Sequence, residues 1–468
     1  MRRAVATAAQ VARATAGATE GPSDPLTEHR ISTLDDGVRV VTERMDNVRS
    51  VALGFWIASG SAMEPDDQAG LSHMLEHMLF RGTDSYRSEE IDQIFDAMGA
   101  EINAGTDREA TSLYTRVLDR HLQRALGVMG EMVWKPRFED LDAEREVVLE
   151  EIAMYEDDPQ DRVFDVLGEA VFGTHPLGRA VIGRAEVVRA IELDGLRAFH
   201  AERYLPPSVV VAAAGSVDHD ELVEMVKAAS APSTTADSVD ENGAAASASV
   251  RAQPTAKAAA AKMAAPSFER RVRFLRKDTE QYHVCLGGRG IPRHDERRFA
   301  LRVMEGVLGG TSSSRLFQEV REKRGLAYSV FSFSNLHAHT GEVGLYVGTR
   351  PDNLSEAIAT IAHELDRFVE DPATEEELTR SRENVKGRVV LSLESTAARM
   401  NRLGSSVLSE LPILSVEEII ERIDAVELAD LHELAGELFS GERLSAACVG
   451  VDESVFHESL APLGGVAS

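Results

Sequence analysis

His73, Glu76 and His77 are the residues whose types and spacing most directly suggest chemistry. They lie in Gly70–Thr83, G-L-S-H-M-L-E-H-M-L-F-R-G-T. Wound into a helix, the two imidazoles leave one face a single turn apart, with Glu76 beside them. Two neutral imidazoles so placed suit one zinc ion, and a neighbouring carboxylate suits proton transfer to and from water. In a chain with 14 histidines the H-x-x-E-H pattern arises by accident at roughly a few per cent, so it needs a third ligand from another element.

The acidic stretch Asp142–Tyr155 could supply that ligand. Glu144 and Glu151 are two helical turns apart and share a face, whereas Glu146 and Glu150 point elsewhere. Acid-rich helices are usually solvated surfaces, so spacing alone does not choose between a ligand and a solvated face here.

Such a site needs rigid elements around it. Ahead of it, V-R-V-V-T-E from Val38 and S-V-A-L-G-F-W-I-A-S-G from Ser50 read as paired strands; Gly60, Pro65 and Gly70 punctuate the approach to the motif. Behind it, Ser88 reads as an N-cap and Gly99 as a stop for a helix with Ile91, Phe95 and Met98 on one face. E-I-N-A-G-T-D-R-E-A-T-S-L-Y-T-R-V-L reads as a hairpin turning near Asp107–Arg108. Apolar periodicity predicts helices over His121–Trp134, over the acidic stretch as far as Pro159, over Arg162–Phe172 and over Asp218–Lys227. S-V-V-V-A-A-A-G reads as a buried strand before the last of these. The mixture is of the α+β class.

Residues 230–266 are low-complexity Ala/Ser/Thr/Pro and read as a linker between a domain at 28–229 and another at 267–462. Residues 1–27 read as a disordered tail. Arg2, Arg3 and Arg13 precede its first acid, Glu20, which leaves a mitochondrial transit peptide as the other reading. The second half repeats the first in outline: Q-Y-H-V-C-L-G-G-R-G echoes the strand before the motif, and a helix follows at a similar distance. In that alignment His73 falls on Arg302, Glu76 on Glu305 and His77 on Gly306. The expectation is two homologous α/β-sandwich domains, helices packed on a mostly antiparallel sheet, with metal ligands only in the first.

Composition narrows the functional classes. The formal charge of −28 argues against a nucleic-acid-binding surface and fits a soluble, self-repelling one. Cys285 and Cys448 exclude a disulfide framework or a cysteine zinc site and read as buried strand residues. No run of about 18 apolar residues suggests a membrane span. G-V-L-G-G-T-S-S-S-R lacks the lysine of a phosphate-binding loop, and His175 and His200 read as structural.

The motif and the helix E-R-E-V-V-L-E-E-I-A-M do not stand alone. N-A-G-T (Asn103–Thr106), H-P-L-G-R (His175–Arg179), S-S-R-L-F-Q-E-V-R-E-K-R-G-L-A-Y (Ser313–Tyr328) and S-L-E-S-T-A-A-R-M (Ser392–Met400) accompany them. From about Leu34 to Val451 the chain resembles the pitrilysin- or insulinase-type zinc peptidases, the inverzincins. Within these it is most similar to the branch of the mitochondrial processing peptidase, its bacterial relatives and the core proteins of the respiratory bc1 complex. The resemblance implies a zinc metalloendopeptidase with one zinc ion per chain, held by His73, His77 and Glu151. It makes Glu76 the base and Glu144 a carboxylate supporting the site. It gives Arg321 and Tyr328 to the substrate or the tetrahedral intermediate, and makes Asn103, Ala104 and Thr106 an edge strand that pairs with an extended peptide. It further implies a dimer, homodimeric or with a related subunit, enclosing peptide substrates, basic ones among them. A bacterial cytoplasmic location follows, with the mitochondrial matrix as the alternative. A non-catalytic partner subunit and a dedicated precursor-processing enzyme are the rival functions. On the residues alone, Arg321 is a solvated helix arginine and Tyr328 a core residue starting a strand.

Overall fold

The computed structural model describes residues 29–231, 266–440 and 443–464. The expected tail, and all but the ends of the expected linker, lie outside them. Two sheets organise the chain. The first has the order β1-β2-β6-β3-β5-β4, built from His29–Thr33, Arg39–Arg44, Ser50–Ile57, Ile102–Thr106, Thr111–Leu118 and Val209–Gly215 as β1 to β6. The second has the order β7-β11-β8-β10-β9, from Val272–Arg276, Tyr282–Gly290, Ala327–Leu336, Gly341–Thr349 and Ser445–Gly450 as β7 to β11.

The two sheets share one wiring. β2 is parallel to β6 as β7 is to β11, and every other pairing is antiparallel. The helices follow suit. In the first half they are α1 (Leu71–Met78), α2 (Ser88–Met98), α3 (Leu122–Trp134), α4 (Leu141–Asp157), α5 (Pro159–Phe172), α6 (Leu193–Arg203) and α7 (His219–Ser230). In the second, α8 (Arg298–Leu308) takes the place of α1, and a π-helical turn, Phe317–Glu322, that of α2. Then come α9 (Leu354–Glu370), α10 (Glu375–Ser392), α11 (Thr396–Leu408), α12 (Leu428–Leu438) and α13 (Glu453–Ser459).

The continuous apolar runs of β3 and β6 are explained by cover on both faces. Val51, Leu53, Phe55, Val209 and Val211 face the helices of their own half, including Met74 and Leu75 of α1. Ala52, Trp56, Val210 and Ala212 face Met400 and Leu403 of α11, which comes from the other half. The exchange is reciprocal: α5 lies on β7, β8 and β11, where Val163, Leu167 and Phe172 pack with Cys285, Ala447 and Val449. Each half therefore completes the other's core. The exchanged α11 also carries charge inward. Glu43 of β2, buried, pairs with Arg399 and lies 2.8 Å from Arg402. The two hairpin tips meet as well: Glu109 pairs with Arg293 and accepts the backbone N–H of Ala338 at 3.1 Å.

Some element ends differ from the sequence reading. The helix expected from Arg162 begins at Pro159, because proline suits the first helical position and the Asp158 carboxylate accepts the N–H groups of Gln160 and Asp161. Ser88 is the first residue of α2, not its cap; Arg87 takes that place, its N–H held by the Glu90 carboxylate at 2.8 Å.

Candidate metal centre

Helix α1 is short and must be held by its ends. Gly70 caps it at φ 107, a left-handed conformation that favours glycine. A Cβ on Gly183 would meet Gly70 Cα at 2.2 Å, so two glycines let these segments touch. The helix has no cap of the ordinary kind. Instead the buried Glu64 carboxylate accepts the N–H of Gly70 at 2.9 Å and of Ser72 at 2.5 Å, satisfying its first orphan donors. Arg179 of H-P-L-G-R fixes that segment from outside by donating to the carbonyls of Glu64 and Ser61, at 2.6 and 3.2 Å. Packing under β4 and against α4 then sets the direction in which α1 presents its imidazoles.

On α4, Glu144 and Glu151 both turn toward α1. Glu151 Oε2 lies 3.2 Å from His77 Nε2 and 3.7 Å from His73 Nε2. The buried Glu144 lies 2.8 Å from His77 Nδ1 and pairs through its other oxygen with Arg81, just past the end of α1. Glu146 and Glu150 are exposed.

Burial, with His77 close by, pushes the His73 imidazole down to about 4, so at neutral pH it is an uncharged ring with a lone pair. Burial also works against charge on His77, yet Glu144, Glu151 and Glu76 together hold that ring above the ordinary histidine value. The surroundings thus favour positive charge. Burial raises Glu144 too, but its bonds to His77 and Arg81 outweigh this and leave it below the ordinary range. Glu76 is pushed upward by burial, opposed first by Thr106 of β4, whose hydroxyl donates to it at 2.5 Å.

The donor set suits a metal ion. One ligand atom each from His73, His77 and Glu151 lies within 4.8 Å of the others. Two imidazole nitrogens with one carboxylate oxygen is the set of a catalytic zinc site with an open position. The Glu144 carboxylate on Nδ1 fixes the tautomer that leaves the His77 Nε2 lone pair toward Glu151.

The structure thus gathers His73, Glu76, His77, Glu144, Glu151 and Thr106 at one place. Asn103 and Ala104 stand on β4, an edge strand of its sheet among the described residues. Arg321 and Tyr328 do not join the cluster. Arg321 lies in the last part of the π-helical turn, 4.5 Å over the Tyr328 ring at the start of β9. Tyr328 is 78% exposed rather than a core residue. The register slips there, Gly348 facing Ser329 and Thr349 facing Ala327, so Tyr328 is the extra residue of a bulge and turns outward.

Glu64, Arg81 and Arg179 escaped the sequence reading. Arg81 had a signal, a cation just beyond a helix C-terminus. Glu64 had none, because it caps from well before the helix start.

Comparison with known proteins gives the family. Residues 39–185 match the family described as Insulinase (Peptidase family M16), and residues 190–385 match the Peptidase M16 inactive domain. A protein named as an uncharacterized zinc protease of Streptomyces coelicolor is 41% identical over 90% of this chain and 89% of its own length. One of the same description from Bacillus subtilis is 38% identical over 87% of this chain and 95% of its own. A solved structure titled as a peptidase M16 inactive domain from Pseudomonas fluorescens has a TM-score of 0.80 at 21% identity, covering 91% of this chain and 98% of that one. A chain of Complex III2 from Candida albicans has a TM-score of 0.75 at 19% identity, covering 93% and 99%. The chain belongs to the insulinase-type M16 peptidase family. Its fold is two M16-type domains of the α+β class, and its relatives carry zinc in their names. Among the described residues no helix is long and apolar enough to cross a membrane.

Proposed function

We propose that this protein is a zinc metalloendopeptidase that cuts extended peptides at the His73–His77–Glu151 centre, one ion per chain. The observation that carries the reading is the convergence of these three donors beside a half-buried glutamate hydrogen-bonded to an edge strand. A zinc ion bound there supplies Lewis-acid polarisation of water and of a carbonyl group. Glu76 takes the proton from water as the water oxygen attacks the carbonyl carbon, and returns it to the leaving amine as the C–N bond breaks. Its raised affinity for protons suits both halves of that task. Thr106 holds one carboxylate oxygen and leaves the other for the proton. The peptide adds as a strand along β4, where Asn103, Ala104 and Thr106 offer backbone groups. Glu144, braced by Arg81, orients His77.

Arg321 and Tyr328 serve the centre of a second chain. Their outward stacking on an edge strand supports this, since they lie free of the cluster in their own chain. The working unit is then a dimer, homodimeric or with a related subunit, enclosing its substrate, in the bacterial cytoplasm.

Hydrolysis of a fluorescence-quenched peptide by purified protein tests the reading. Cleavage stopped by a chelator, and lost in Glu76→Gln while zinc is retained, is the expected result. Full activity in that variant, or none in the wild type, rejects it; the latter outcome favours a non-catalytic subunit. Activity restored by mixing a His73→Ala chain with an Arg321→Ala chain supports the shared site, and failure to restore it removes the dimer.

A further inference from the structure

Where the first half has its donors, the second has a cavity. Following the matched helices, the positions of His73, Glu76 and His77 fall on Arg302, Glu305 and Gly306 of α8. Counting from the helix caps, Asp140 and Thr374, that of Glu151 falls on Val385 of α10. All four residues line one space of about 780 Å³ between α8, α10, α11 and β9. The second half has lost the ligands without closing the site.

What remains there is not inert. Glu305 keeps the place of Glu76, and its Oε1 is buried with no hydrogen-bond partner. Ser334 of β9 favours the charged form of this carboxyl as Thr106 of β4 does that of Glu76. Arg302 and Arg388, both exposed on the cavity lining, form no ion pair with a carboxylate among the described residues, in a chain of net charge −28. The other lining arginines are engaged: Arg298 with Glu296, Arg402 with Glu43. Phe299, Val389 and Ile419 give the lining apolar surface, and Phe331 and Ser332 bring in β9, an edge strand of its sheet among the described residues.

We infer that this cavity binds the C-terminal end of an extended peptide, its carboxylate on Arg302 and Arg388, its last apolar side chain on the lining, and a backbone N–H on Glu305. A free phosphate or a fatty acid lacks the N–H donor that a buried, unpartnered carboxylate oxygen requires; a peptide end has both groups a few bonds apart. Arg302 lies near enough to Glu305 to temper its charge, and burial raises the Glu305 carboxyl, so a second carboxylate is tolerated there. The peptide class of the ligand rests on the proposed function; the site itself rests on the cavity.

The experiment is direct binding of a labelled peptide ending in leucine, as free acid and as C-terminal amide, to the full-length protein by fluorescence anisotropy. Mass spectrometry of the recovered peptide reports cleavage separately. The acid is expected to bind about tenfold more tightly than the amide in the wild type, with the difference abolished in Arg302→Ala/Arg388→Ala. Equal binding of acid and amide by the wild type, or a preference surviving in the double variant, overturns the inference. So does displacement of the peptide by an equal concentration of inorganic phosphate, which marks a plain anion site. A preference for the acid without any cleavage supports the cavity while removing the proposed enzyme, and cleavage without a preference does the reverse.

Discussion

Apart from β1, which has no counterpart among the described residues of the second sheet, the two halves of this chain have the same strand order, the same helix order and the same parallel pair in each sheet, yet they put opposite things at one place. In the first, α1 and α4 bring two imidazoles and a carboxylate to within ligand distance of each other. In the second, α8 and α10 bring an arginine, a glycine and a valine to the matching positions and leave a cavity. The fold therefore needs neither the donors nor the ion: the second core is complete without them, built on Tyr282, Met304, Phe368 and Phe439. What the donors do need is the set of groups that holds α1 in place, namely Glu64 at its start, Arg81 at its end and Thr106 above it.

The largest expected effect falls where the halves differ in chemistry. Glu76→Gln keeps the shape and the Thr106 contact but cannot carry a proton. It should lower kcat by about 10²–10⁴-fold with zinc content unchanged, measured at saturating peptide beside metal analysis. Loss of zinc together with activity would instead make Glu76 part of the ligand set.

Next come the exchanged helices, which match in position but not in adhesive. α11 is tied to the first sheet by the buried Glu43 between Arg399 and Arg402, whereas α5 meets the second sheet without an ion pair, through apolar contact at Leu167 and neutral hydrogen bonds such as Tyr346 to Gln160. Glu43→Gln leaves two cations short of their anion and should cost about 3 kcal/mol. Leu167→Ala should cost about 3 kcal/mol through the cavity it opens. Denaturant unfolding at low and high salt separates them: added salt should alter the loss in the first variant and not in the second. Two losses with the same salt response would erase the distinction.

A smaller effect is expected one step behind the metal ligands. Glu144→Gln keeps a contact to His77 Nδ1 but removes the charge and the ion pair with Arg81, and should weaken zinc binding by about 10–100-fold in a competition assay with a chelating dye. Glu150→Gln, on the exposed face of the same helix, should leave zinc affinity alone.

How much of this could be read beforehand depended on whether the signal was local. The motif helix, the Glu144/Glu151 face and the hairpin at Asp107–Arg108 declare themselves through periodicities of 3.6 and 2 within a few residues. The repeat was visible as an echo of strand and glycine. The exchange of α5 and α11 was not, since an amphipathic pattern says that a face is buried and not against which sheet. Glu64 was hidden for the same reason, and Tyr328 because a bulge reverses the alternation from which its burial would be inferred.

The smallest expected effect tests whether the two halves brace their acidic helices for the same purpose. In each, an arginine from the segment after the motif helix reaches an acid in the first turn of the next acidic one: Arg81 to Glu144, and Arg315 to Glu377. Glu144 shares its charge with His77; Glu377 has no histidine and takes Arg315 in two bonds, at 3.0 and 2.8 Å, while also accepting the N–H of Thr374. Burial works against the Glu377 carboxylate, but these bonds hold it down at about 2, below the ordinary 4.5. A carboxyl lowered on folding contributes stability above its unfolded pKa and loses that contribution as pH falls toward the folded one. The stability gap between wild type and Glu377→Gln should therefore be full at neutral pH and shrink as pH falls from about 4.5 to about 2. Its size should be about 1.5 kcal/mol, as for a hydrogen bond to a charged group, because Arg315 is buried and Glu377 only partly exposed. Thermal melts across that range decide the matter. A gap that stays constant would mean that the loss does not come from the Glu377 charge, and that only the first half uses its arginine as an electrostatic brace.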